Sequence, residues 1–91
     1  MGLVRRLVLD VLKPHTPTIV EVSQLISELD GVDGVDISLV EIDRKVENVK
    51  VTVEGSDVNF DDVERVINES GGTVHSIDNV SAGRKIVQEF K

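Results

Sequence analysis

The strongest constraint on this chain is the order in which its hydrophobic period switches between that of a strand and that of a helix. Residues 49–54, VKVTVE, alternate without fault, with Val49, Val51 and Val53 on one side and Lys50, Thr52 and Glu54 on the other. A period of two belongs to a pleated strand with one buried face. Residues 35–43, VDISLVEID, alternate in the same way but slip at Leu39-Val40. A β-bulge there would return Val35, Ile37, Leu39, Val40 and Ile42 to one side. Residues 44–48, RKVEN, join the two as a hairpin connection.

Before this pair, residues 3–13, LVRRLVLDVLK, read as a strand stopped by Pro14. Ile19, Val22, Leu25, Ile26 and Leu29 then recur as a helical stripe. Thr16 is the expected N-cap, Pro17 fits the first turn, and Gly31 ends the helix. After the pair, Asn59 caps a second helix with Asp62 at the capping-box position. Its stripe is Phe60, Val63, Val66 and Ile67, and Gly71-Gly72 stop it. Residues 73–80, TVHSIDNV, are a last strand.

The order is therefore β-α-β-β-α-β. Two βαβ halves with right-handed crossovers give an α+β, ferredoxin-like sandwich. Its four-stranded antiparallel sheet has the order 4-1-3-2, with both helices on one face. Residues 1–91 form one domain, with a core over 1–80. The tail over 81–91, SAGRKIVQEFK, is expected to add one more extended segment or to lie at an interface. About a fifth of the residues are valine, which suits a strand-rich core.

Composition narrows the function. With no cysteine, a thiolate zinc site, an iron–sulfur cluster, a disulfide framework and a cysteine nucleophile are excluded. The net charge is −7. Seven acids and no Lys or Arg lie between Pro14 and Asp43, which leaves little from which to build a phosphate-binding surface. With only two aromatic residues, stacking platforms for bases are missing too. No nucleic-acid partner is expected. No signal peptide and no apolar run of bilayer length is evident, so the expected location is cytoplasmic, with no membrane partner. There is no P-loop, GxGxxG, GxSxG or HExxH motif, and no catalytic residue can be named. Ser76 beside His75 would point to the opposite face of a regular strand.

Asp10 stands out, as a carboxylate within the apolar run LVLDVLK. A buried carboxylate needs a partner. With Leu7, Leu9 and Val11 toward the helices, Arg6, Val8, Asp10 and Leu12 share the open face of the sheet. Val8 and Leu12 there suggest a cover, either another subunit or the tail. The third strand is expected to run parallel beside the first, bringing Glu54 or Thr52 to the same end as Asp10. Asp36 and His75 are then close by. These four residues, Asp10, Asp36, Glu54 and His75, are the candidate metal set, against the alternative of a solvated or interfacial hydrogen-bond cluster such as Asp10 with His75. A weaker candidate is LDGVDGVD, where Asp30, Asp33 and Asp36 recur every third residue. Its alternative is a helix cap and a turn entering a strand. A divalent metal such as calcium is the cofactor that these carboxylates would take. His15 reads as an exposed loop residue, and Glu41, Asp43 and Glu47 as a solvated acidic hairpin.

The words RRLVLDVLKPH, GVDGVDISLVEID, ENVKVTVEG and HSIDNV, in that order, resemble a family of small uncharacterised archaeal proteins, a domain of unknown function. The resemblance implies a ferredoxin-like fold and assembly into homo-oligomers, and implies no reaction. The topology is also similar, at the level of fold, to ACT-type regulatory domains, which bind amino acids at oligomer interfaces. This chain has KPHTP where those domains commonly carry a glycine-containing turn. Together these readings lead to a non-enzymatic oligomeric module that senses a divalent metal or small ligand between subunits. The alternative is a scaffold homo-oligomer that docks another protein. Third comes an enzyme whose site, using Asp10 and His75, is built between subunits.

Overall fold

The computed structural model describes residues 2–87. Six elements follow one another: β1 (Val4–Pro14), α1 (Ile19–Ser27), β2 (Val32–Ile42), β3 (Val46–Gly55), α2 (Phe60–Glu69) and β4 (Thr73–Ala82). The sheet runs β2-β3-β1-β4, and each neighbouring pair is antiparallel. This is the expected 4-1-3-2 order read from the other edge. One expectation fails: β3 runs antiparallel to β1, not parallel, so Glu54 sits opposite Arg6 at the start of β1.

Strand parity sets the two faces. Leu7, Leu9 and Val11 of β1 and Val49, Val51 and Val53 of β3 are buried. They meet Val22 and Ile26 of α1 and Val63, Val66 and Ile67 of α2 in one core. The alternate residues Arg6, Val8, Asp10 and Leu12 face away from the helices. The slip at Leu39-Val40 is a bulge, because Leu39 pairs with Val49 and Glu41 with Asn48, leaving Val40 unpaired. β4 carries two further irregularities against β1, which pass over His75 and Asp78.

Local chemistry explains the helix ends. The cap of α1 is Thr18, not Thr16: its side chain accepts from the Glu21 N–H while Glu21 reaches back to the Thr18 N–H. That reciprocal pair satisfies two donors and outweighs the first-turn preference of Pro17. Asn59 caps α2 as expected, accepting from the Asp62 N–H at 3.1 Å. Gly31 follows α1 at φ +84°, and a Cβ there would stand 2.0 Å from the Asp57 carbonyl oxygen. Both conformation and space therefore require glycine.

The helices are short for the strands they cover. Nine residues of α1 span about 13 Å. Eleven residues of β2 span about 36 Å. The far end of β2 is therefore left bare, with Val40 61% and Ile42 58% exposed beside exposed Leu39 and Val46. On the opposite edge Ile77 and Val80 of β4 are half exposed, at 51% and 50%. Beyond β4 the chain turns at Gly83, and residues 84–87 form no further strand. The rest of the extra segment expected for the tail, residues 88–91, lies outside the described residues. Among the described residues no helix is long and apolar enough to cross a membrane.

Candidate functional site

Asp10 lies half-buried on the open face, opposite Lys50 on β3 and Ser76 on β4. Its Oδ1 accepts a hydrogen bond from Asn48 Nδ2, and the same amide reaches the Val11 carbonyl at 3.4 Å. Asn48 is thus the partner that keeps this carboxylate on a central strand. Nothing local in the sequence marks the pair, which is 38 residues apart and depends on the β1–β3 register.

The other candidate residues are distributed by the antiparallel register. Glu54 lies 4.0 Å from Arg6 Nη1. Asp36 pairs across from Thr52. Asp33, Asp36, Thr52 and Glu54 line one shallow depression between β2 and β3. His75 sits exposed at a β4 irregularity, away from that depression. The structure therefore brings Asp33, Asp36 and Glu54 to one place and leaves Asp10 and His75 elsewhere on the sheet. Asp30 falls in the turn after α1, and Asp33 and Asp36 lie within β2, the cap-and-strand alternative for LDGVDGVD. Among the described residues no group of three or more His, Asp or Glu is arranged to hold a metal ion. The Ser76 hydroxyl donates to Asp78 at 2.6 Å, not to His75.

A different cluster is tightly built. Lys13 continues the buried parity of Leu7, Leu9 and Val11, and its side chain is only 2% exposed. Its Nζ donates to Glu47 Oε1 at 3.1 Å and to the Pro14 carbonyl at 2.7 Å. Glu47 is its cross-strand neighbour. The second Glu47 oxygen, Oε2, lies 3.2 Å from His15 Nδ1, and His15 Nε2 lies 3.1 Å from the Arg44 carbonyl oxygen. One carboxylate thus serves an ammonium and an imidazole, and joins β1, the β1–α1 connector and the β2–β3 hairpin. The hydrogen bond to Glu47, then that to the Arg44 carbonyl, raises the His15 pKa above its ordinary value. The bonds from His15 and Lys13 lower that of Glu47. In the hairpin turn, the N–H groups of Lys45 and Val46 point at Asp43 Oδ1 and lower the Asp43 pKa.

His15 is therefore a bonded residue and not a free loop side chain, and Glu47 is not a solvated edge charge. The signal that was available is the parity of Lys13. A lysine in register with three buried residues needs a carboxylate, and Glu47 is the acid across the strand. Chemically the cluster is charge-compensated and holds segments together.

Two arginines act at the other end of the sheet. Arg5 Nε donates to the Gly55 carbonyl at 2.8 Å and Nη1 to the Arg84 carbonyl at 2.8 Å. Arg6 Nη2 donates to Ser81 Oγ and to the Val87 carbonyl. The start of the tail is thus held beside the open face.

Residues 5–91 match the sequence profile of DUF211, a family described as "Uncharacterized ArCR". The chain is also 48% identical over 91 residues to "Uncharacterized protein MJ0319" of Methanocaldococcus jannaschii, with 100% of this chain and 94% of the relative covered.

Proposed function

The chain belongs to the DUF211 family, and from that premise we propose that it acts as a homo-oligomeric binding or regulatory module rather than as an enzyme. The observation that carries this reading is the bare apolar surface on both outer strands. Leu39, Val40 and Ile42 on β2 and Ile77 and Val80 on β4 stand exposed on the two edge strands, whose outer sides are paired by no strand among the described residues. Long apolar edges invite another strand, and apolar patches of this kind mark association sites. The occupant proposed is a second copy of this chain, because a 91-residue domain gains much from burying such surface.

The ligand site belongs at the margin of β2. Asp33, Asp36 and Glu54 supply oxygen donors there, and a copy docked along β2 would close the depression and add further ligands. A divalent cation such as calcium, or a small molecule with an ammonium group, suits that lining. Asp10, outside it, is engaged with Asn48.

The test is thermal stability across a panel of divalent cations and amino acids. A ligand at a hundred times its dissociation constant stabilises by about 2.7 kcal/mol. For a domain of this size that raises Tm by about 10–20 °C. The reading expects such a shift with at least one member, lost in the double substitution Asp36→Asn, Glu54→Gln. No shift with any member overturns the ligand part of the reading.

A further inference from the structure

We propose that His15, Glu47 and Lys13 form a proton-operated latch, closed when His15 is an imidazolium, that ties the β1–α1 connector to the β2–β3 hairpin. The geometry carries the argument. Both ring nitrogens of His15 face acceptors: Glu47 Oε2 at 3.2 Å from Nδ1 and the Arg44 carbonyl oxygen at 3.1 Å from Nε2. A neutral imidazole has one N–H and can satisfy one of these oxygens. The other would then face a ring lone pair across about the same distance. Only the doubly protonated ring donates to both, so loss of one proton must release one end of the bridge.

The surroundings hold the bridge in place. Glu47 cannot follow the ring, because its other oxygen is fixed on the Lys13 ammonium, which is itself buried and bonded to the Pro14 carbonyl. The hairpin side presents the Asp43 carboxylate, which interacts favourably with charged His15, together with the exposed cations Arg44 and Lys45. The connector itself, Pro14, Thr16 and Pro17, carries no charge, and Glu21 at the start of α1 is engaged in the Thr18 cap. Apart from Asp43, the one carboxylate among the described residues that faces His15 is therefore Glu47.

The direction of the response follows from the two shifts. A histidine whose folded pKa is raised contributes stability that is complete below the ordinary value of 6.5 and is lost as pH rises through the folded value. Glu47, whose pKa is lowered, contributes above its ordinary value of 4.5 and fails as pH falls through its folded value. The latch is closed between these limits and opens toward alkaline pH. What it releases is the hairpin turn between Ile42 and Val46, next to the bare apolar end of β2. The latch does not rest on the reading of the chain as an oligomer, since every group in it belongs to one copy.

The experiment follows the ring and the hairpin together in the full chain. NMR of the His15 ring from pH 5 to pH 9 should give a midpoint above that of an unperturbed imidazole, about 6.5. Glu47→Gln should move it down. Hydrogen exchange of the Lys45 and Val46 amides, corrected for intrinsic pH dependence, should lose protection several-fold over the same midpoint. His15→Ala, a substitution outside the core, should abolish that pH step and leave the amides weakly protected throughout. A His15 midpoint at or below 6.5, or amide protection in the wild type that does not change with the ring's titration, overturns the latch.

Discussion

Replacing Glu47 by glutamine removes the one carboxylate, among the described residues, within reach of a buried ammonium. Lys13 Nζ has two partners, Glu47 Oε1 at 3.1 Å and the Pro14 carbonyl at 2.7 Å, and its side chain is 2% exposed. Glutamine keeps the shape and one acceptor oxygen, so packing is unchanged and the loss is one of charge. Stranding a buried ion by removing its partner costs about 3–5 kcal/mol. Glu47 is 15% exposed, so water softens the loss, and about 2–4 kcal/mol is the expected destabilisation. At about 4–8 °C per kcal/mol, Tm falls by roughly 8–32 °C. Urea denaturation at fixed protein concentration is the assay, since a chloride salt of guanidinium would screen the pair. The midpoint should fall while the slope stays constant. The double substitution Lys13→Met, Glu47→Leu should recover most of the loss, because it leaves no unpaired charge. A loss below about 1 kcal/mol for Glu47→Gln would mean that Lys13 and Glu47 do not form a buried ion pair, for that is the value of a solvated surface pair.

Gly31→Ala should destabilise the domain by about 2 kcal/mol or more, through left-handed strain and the clash with the Asp57 carbonyl, read as a lower urea midpoint. Acid should weaken the fold through Glu47 and Asp43, whose lowered pKa values make the unfolded chain bind protons first; stability falls as pH drops below the ordinary carboxylate range, and Glu47→Gln should flatten that fall.

How far the sequence carries depends on whether a feature is local. The alternation in VKVTVE placed Val49, Val51 and Val53 in the core, because the period of a strand needs no partner to be read. The bulge at Leu39-Val40 was legible for the same reason, as a break in that period. Pro17 favours a helix start at Thr16, whereas T-x-x-E over 18–21 carries the reciprocal cap that the fold uses. The site was less legible because it depends on pairing direction. A β3 parallel to β1 would carry Glu54 to Asp10; the antiparallel ladder sends Glu54 to Arg6 and brings Asn48 to Asp10. His15 and Glu47 lie 32 residues apart, and no periodicity joins a connector to a hairpin.

Copies of this chain are proposed to cover one another's bare strand edges. A native mass spectrum of the purified protein, recorded with and without chelator, decides whether they do. One defined oligomer is expected, with a bound divalent cation that chelator strips if the carboxylates of the β2 margin hold a metal. A metal-free oligomer would turn the ligand search to organic molecules. A monomer at every concentration would mean that the bare edges are not covered by a second copy.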